Sequence, residues 1–173
     1  IFTPNNVIMK LLKLTALPLF MVASLFMISS CESDAELKKT SDFSKTGIPM
    51  TGAQETPAVN SAGLGTLDVS YTRSSKILTY SFNWSGLTGS VTAAHIHGLA
   101  PTGFAAGVVQ TFSTSAITRC ATVSNTSCGS YKGSMLVDDV VVKEQDLLNG
   151  VYYVNLHTAA FPGGEIRGQI RFQ

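Results

Sequence analysis

Charge is scarce in this chain of 173 residues, in which 12 Lys and Arg stand against 11 Asp and Glu for a formal net charge of +1. Proteins bind nucleic-acid backbones through clustered Lys and Arg, which this sequence lacks, so we expect no nucleic-acid partner. It also lacks a glycine-rich phosphate loop and a nucleophile elbow. Because no Ser or Thr stands beside a base in a recognisable catalytic spacing, we expect a protein that is not an enzyme.

The N-terminal residues carry a long apolar run after a basic start. Met9 is followed by Lys10-Leu11-Leu12-Lys13, and Leu14 to Ile28 is almost wholly apolar. This pattern predicts a secretory signal peptide over residues 1–30, with translation starting at Met9. The apolar core is shorter than the roughly twenty residues that a helix needs to span a bilayer. We therefore expect an export signal rather than a permanent membrane span.

The end of this segment, Ile28-Ser29-Ser30-Cys31, has the form of a bacterial lipobox. Acyl chains on Cys31 would anchor the protein stably in a membrane. Residues 31–46 are polar and charged, which predicts a flexible tether after the lipidated cysteine. We therefore expect an exported lipoprotein of the bacterial cell envelope, in the outer membrane or at the cell surface. The alternative is an ordinary cleaved signal in which Cys31 is incidental.

Two further cysteines, Cys120 and Cys128, flank a polar segment. In an exported protein such a pair predicts a disulfide. The alternative, a thiolate metal site, would need more ligands nearby.

Beyond Gly47 the apolar residues recur with a period of two, which is typical of strands with one buried face. Residues 66–72 and 78–84 predict a hairpin. Further strands are expected at 91–97, 107–112, 131–137, 151–157 and 165–172, and a short helix at 141–149. The sequence therefore predicts an all-β domain over residues 47–173, a single antiparallel β-sandwich or barrel with one short helix.

The three histidines of the chain lie in two compact motifs, His95-Ile96-His97-Gly98 and Asn155-Leu156-His157. Alternate residues of a strand share a face, so His95 and His97 present their imidazoles side by side. We predict that the three histidines converge as metal ligands. Imidazole suits copper and zinc, which an exported protein meets. The alternative is that they are structural residues, hydrogen-bonded to the backbone or to neighbouring side chains.

The predicted C-terminal hairpin indicates which residues support this site. If residues 151–157 pair with residues 165–171, His157 lies near Glu165 and Asn155 lies near Arg167. We therefore expect Asn155, Glu165 and Arg167 to surround the histidines. Glu165 and Arg167 share a face of their strand, which predicts an ion pair between them.

Three motifs in order resemble the CHRD domain, first described in the developmental antagonist chordin and found in many bacterial envelope proteins. They are Glu55-Thr56-Pro57, the His95 motif, and the block from Tyr153 to Gln169. The resemblance runs from about Gly47 to the C-terminus and implies an immunoglobulin-like fold, with a distant likeness to copper/zinc superoxide dismutases. Those enzymes share the His-x-His copper spacing, but three histidines are too few for their two metal sites. Dismutase activity is therefore not expected.

The sequence thus favours a lipid-anchored, non-catalytic binding module that holds copper or zinc through His95, His97 and His157. Two alternatives remain open at this stage. One is a small metal-dependent redox enzyme that uses the same histidines. The other is a protein-interaction module with an extracytoplasmic partner, by analogy with chordin.

Overall fold

The computed structural model describes residues 42–121 and 127–173. Within these ranges the chain forms nine strands and one short α-helix, α1 (Glu144–Leu148). The strands are β1 (Phe43–Thr51), β2 (Leu64–Thr72), β3 (Ile77–Ser85), β4 (Val91–Gly98), β5 (Val108–Thr111), β6 (Thr118–Arg119), β7 (Gly129–Leu136), β8 (Tyr152–Thr158) and β9 (Ile166–Gln169). The predicted signal peptide, Cys31 and the tether up to residue 41 lie outside the described residues.

All nine strands belong to one antiparallel, curled sheet with the order β5-β4-β8-β9-β1-β2-β3-β7-β6. This arrangement confirms the predicted all-β fold with one short helix, and it is consistent with a barrel or sandwich. In the described part of the chain, no helix has the length and apolar character needed to cross a membrane.

The predicted hairpin is confirmed as β2 and β3, which pair over their full lengths. On β3, Leu78, Tyr80, Phe82 and Trp84 are buried while the residues between them are exposed or partly so. Fully burying a side chain of this size contributes about 1.5–3 kcal/mol to stability. The aromatic members pack on one another, on Tyr131 of β7, and on Phe112 just after β5, whose ring lies 5.4 Å from that of Phe82. This cluster forms the centre of the core.

The sheet begins earlier than the sequence indicates. The tether is expected to reach residue 46, whereas β1 begins at Phe43 and pairs there with Tyr71 of β2. The ring of Phe43 packs 5.9 Å from that of Phe172, and the Arg73 guanidinium lies 5.0 Å above it. These contacts partly remove the ring from water, which favours ordering of residues 43–46 as part of the strand.

The helix and the last strand are shorter than predicted. Helix α1 does not include Val141 or Val142, because the carboxylate of Asp138 accepts hydrogen bonds from the backbone N–H groups of residues 140–142. Such side-chain acceptors compete with helical hydrogen bonding. Strand β9 ends at Gln169, although the N–H of Ile170 still donates to the carbonyl of Tyr152.

The predicted disulfide between Cys120 and Cys128 is present, with the two Cα atoms 5.8 Å apart. It joins the end of β6 to the beginning of β7, two strands that pair over only two residue positions at the edge of the sheet. The bond therefore limits the freedom of a weakly paired edge.

We predict that replacing both cysteines with serine lowers the free energy of unfolding by about 2–3 kcal/mol, since the unfolded chain loses the cross-link. Chemical denaturation of both proteins measures the difference. Reduction of the wild-type protein should produce the same loss and leave the variant unchanged. Equal stability of oxidised wild type and variant would contradict the prediction.

Candidate metal centre

The three histidines come from two neighbouring strands of the sheet. In the pairing of β4 with β8, His95 lies opposite Asn155, His97 opposite Tyr153, and His157 opposite Ala93. Because alternate residues share a face, His95, His97 and His157 project to the same side. Their ligand nitrogens all lie within 4.8 Å of one another. The structure therefore brings together the three residues that the sequence predicts as a site.

Two backbone carbonyls determine which nitrogen of each buried imidazole carries the proton. His97 Nδ1 lies 2.9 Å from the carbonyl oxygen of Ala106, and His157 Nδ1 lies 2.9 Å from that of Pro162. A carbonyl oxygen can only accept a hydrogen bond, so both Nδ1 atoms donate. A neutral imidazole has a single N–H, and the Nε2 atoms of His97 and His157 are therefore left with free lone pairs.

Both Nε2 atoms lie close to the side-chain oxygen of Asn155, and His157 Nε2 also lies close to His95. Asn155 Oδ1 lies 3.1 Å from His97 Nε2 and 3.0 Å from His157 Nε2. His95 Nδ1 lies 2.9 Å from His157 Nε2 and donates to it. His97 Nε2 and the Asn155 oxygen are thus two acceptors in contact without a proton between them. A proton or a metal ion among these atoms would resolve the conflict.

The spacing and the electrostatics suit a metal ion. Tetrahedral coordination at about 2.0–2.1 Å places ligand nitrogens about 3.3 Å apart, so small side-chain rotations would close the cluster around one ion. Burial, together with the other histidines, lowers the pKa of His95. Burial also lowers the pKa of His157, although its bond to Pro162 acts in the opposite direction. The two imidazoles are therefore neutral at pH 7, as metal ligation requires.

Of the predicted supporting residues, Asn155 touches the histidines but Glu165 does not. The Glu165 carboxylate accepts hydrogen bonds from Ser61, from Thr158, and from both the N–H and the hydroxyl of Thr88. Burial alone would raise its pKa, but these bonds lower it. The prediction of an ion pair with Arg167 is wrong, because these neutral donors bind both Glu165 oxygens within the described chain.

Arg167 acts on the site through an aromatic ring. Its guanidinium lies 3.4 Å from the centre of the Tyr153 ring, which stacks on His97 at 4.8 Å with an interplanar angle of 4°. Arg167 also donates to the carbonyls of Phe104 and Pro101. These bonds hold the loop between β4 and β5, from which Ala106 contacts His97.

Sequence reasoning missed two residues behind the site, Glu55 and Gly164. Glu55 is only 8% exposed, and its Oε1 has no hydrogen-bond partner in the described part of the chain. Burial raises its pKa to about 7, despite the opposing effects of Arg167 and Asn155. The available signal was the Glu55-Thr56-Pro57 motif, which carries the family resemblance but indicates no role for the carboxyl group.

Gly164 allows this close packing. Its φ of +126° is unfavourable for residues with a side chain, and a Cβ there would overlap Glu55 Oε1 and lie 2.8 Å from Asn155 Nδ2. Gly163 has open space around the position of a Cβ.

We predict that Gly164→Ala lowers the free energy of unfolding by about 1–3 kcal/mol, through backbone strain and displacement of Glu55. Gly163→Ala is the matched control and should change stability by less than about 0.5 kcal/mol. Urea denaturation of both variants measures these values. Equal effects of the two substitutions would show that the packing at Gly164 does not constrain the site.

Comparison with known proteins identifies the domain. A family model described as the CHRD domain matches residues 46–170. No curated protein and no solved structure shows a significant match. The match spans well over half of the chain and includes all three histidines together with Glu55 and Asn155. The chain therefore belongs to the CHRD domain family.

Proposed function

We propose that this CHRD domain is a non-catalytic module that binds one copper or zinc ion through His95, His97 and His157. The observation that carries the proposal is the convergence of the three imidazoles, whose ligand nitrogens all lie within 4.8 Å of one another. Carbonyls that hold the Nδ1–H of a histidine are typical outer partners of metal-binding imidazoles. Ala106 and Pro162 supply such carbonyls here.

The donor set and its surroundings support this choice of ion. Neutral imidazole is a ligand for copper and zinc, whereas calcium and magnesium prefer oxygen ligands. His97 and His157 are buried and His95 is partly exposed, so an ion can enter from the side of His95.

The surroundings of the site favour binding over catalysis. The groups in contact with the histidines are the Asn155 amide, the Tyr153 ring and two backbone carbonyls. Among the described residues, this set contains no nucleophile paired with a base. The redox-enzyme alternative requires turnover at the bound metal, which activity assays on the loaded protein would detect.

The proposed location is a membrane surface of the bacterial cell envelope. The lipobox that ends in Cys31 supports a lipid anchor, and the polar residues after it support a tether that holds the domain away from the lipid.

We predict that calorimetric titration of the metal-free protein with Cu(II) or Zn(II) gives a stoichiometry of about one ion per chain. The triple variant His95→Gln, His97→Gln, His157→Gln should bind neither ion, because the chain has no other histidine. Glutamine keeps hydrogen-bonding capacity at each position, so thermal unfolding can establish that the variant is folded.

Two results would contradict the metal module. One is the absence of binding by the wild-type protein at micromolar concentrations. The other is undiminished binding by a folded triple variant.

We also predict that Cys31→Ser moves the protein out of the membrane fraction or blocks its maturation, since the acylated thiol is lost. Detergent-phase partitioning of wild type and variant measures this. Cys120→Ser is the matched control and should leave partitioning unchanged. A variant that partitions like wild type would rule out the lipid anchor at Cys31.

A further inference from the structure

We propose that Glu55 is a positioning residue whose protonation state sets the orientation of the Asn155 amide below the three histidines. Glu55 loses its proton when the metal ion binds to the histidines. This inference rests on the proposed function and assigns a role to a carboxyl group that does not itself contact the metal. Its basis is the placement of Glu55, the surroundings of its oxygens and the hydrogen-bonding geometry of Asn155.

Glu55 is brought to the site by a tight turn after β1. The chain forms a 3₁₀ turn over Gly52–Gln54, and the N–H of Glu55 donates to the carbonyl of Gly52. The side chain then faces Asn155 of β8, Arg167 of β9 and Gly164 of the loop between those strands. In the described chain, Arg167 is the charged group that acts on Glu55, and the interaction lowers the pKa of the carboxyl group.

A buried carboxylate needs donors, and one oxygen of Glu55 lacks them. Glu55 Oε1 is buried without a hydrogen-bond partner in the described residues. Arg167 directs its Nη1 and Nη2 groups to carbonyls and to Gln169 instead. An ionised oxygen left in this state is costly, whereas a protonated carboxyl group can act as a donor. Below about pH 7 the metal-free protein therefore favours protonated Glu55, because burial raises the pKa of this carboxyl group to about 7.

The Asn155 amide has two orientations with different partners. In the orientation observed, Nδ2 lies on the side of Glu55 and Gly164, and Oδ1 faces His97 and His157. This orientation suits an ionised Glu55, which accepts from Nδ2, but it leaves the Asn155 oxygen facing the lone pair of His97 Nε2. A positive ion bound by the histidines would remove that conflict.

In the reversed orientation, protonated Glu55 donates to Asn155 Oδ1, and the Asn155 Nδ2 group faces the lone pair of His97 Nε2, while His157 Nε2 already accepts from His95. Every acceptor then has a donor without any ion. Metal binding consequently breaks the O–H bond of Glu55, releases that proton to solvent and turns the amide. The metal-bound site gains a carboxylate, whose negative charge compensates part of the charge of the ion.

We predict that Glu55→Gln, which resembles the protonated acid at every pH, weakens Zn(II) binding by about 10–30-fold at pH 8. At pH 6 the two proteins should differ by less than about threefold, because Glu55 is then protonated in the free wild-type protein. Calorimetry at pH 6 in buffers of different ionisation enthalpy should show about one more proton released by wild type than by the variant. Glu144→Gln, which alters a carboxylate bonded to Tyr71 and Arg73, is the matched control and should follow wild type.

A second measurement uses the metal-free protein. The side-chain amide resonances of Asn155 should titrate in wild type with a midpoint near the pKa of Glu55, about 7. They should not show this titration in Glu55→Gln. Because the measurement needs no metal, it tests the link between Glu55 and Asn155 even if the metal module fails.

The outcomes separate the two proposals. Parallel pH profiles and equal proton release for wild type and Glu55→Gln would overturn the role of Glu55 and leave the metal module standing. If wild type binds no ion, the metal module fails and the exchange of proton for metal fails with it. If the Asn155 side-chain amide resonances do not change with pH in the wild-type protein, that result alone would overturn the positioning role.

Discussion

The antiparallel pairing of β4 with β8 is the interaction on which the candidate site depends. It places His95 opposite Asn155 and His97 opposite Tyr153. A slip of one residue would turn every side chain of one strand to the other face and separate the histidines. All seven residues of β8 are buried, among them Val154 and Leu156 on the apolar face. Burial on both faces therefore fixes this register firmly. The positions of the three histidines consequently depend on the sheet more than on the loops around the site.

The polar face of β8 and β9 is buried as well. Its side chains form hydrogen bonds that hold the loop between β4 and β5 in place. Gln169 donates to the carbonyls of Ala100 and Gly150, and Arg167 binds the carbonyls of Pro101 and Phe104. The Tyr153 hydroxyl accepts from the N–H of Ala106. Buried polar groups must find such partners, and here all of them except Gly150 lie in the loop between β4 and β5. The carbonyl of Ala106 is thereby held where it fixes the tautomer of His97, which links the sheet to the chemistry of the site.

The sequence alone was sufficient for the parts of the structure that follow from local periodicity. Alternation predicted the hairpin of β2 and β3, and the same parity placed His95 and His97 on one face. The partners of Glu165 and Arg167 were not predictable, because parity cannot identify the groups that approach from Ser61, Thr88 and the loop before β5. Glu55 was missed for a similar reason. Its position follows from the adjacency of β1 and β9 in the sheet, a long-range contact that leaves no local pattern.

The arrangement of acceptors supports the proposed metal site over a purely structural histidine cluster. A cluster that served stability alone would gain most if each lone pair met a donor, since a buried polar group without a partner costs free energy. His157 satisfies this condition through His95, but His97 Nε2 faces the oxygen of Asn155. The carbonyls of Ala106 and Pro162 accept hydrogen bonds from the Nδ1 atoms of His97 and His157. A change of tautomer would break these bonds. The sheet thus holds His97 Nε2 against an acceptor, and this conflict would be removed by a bound ion or by reversal of the Asn155 amide with a proton on Glu55.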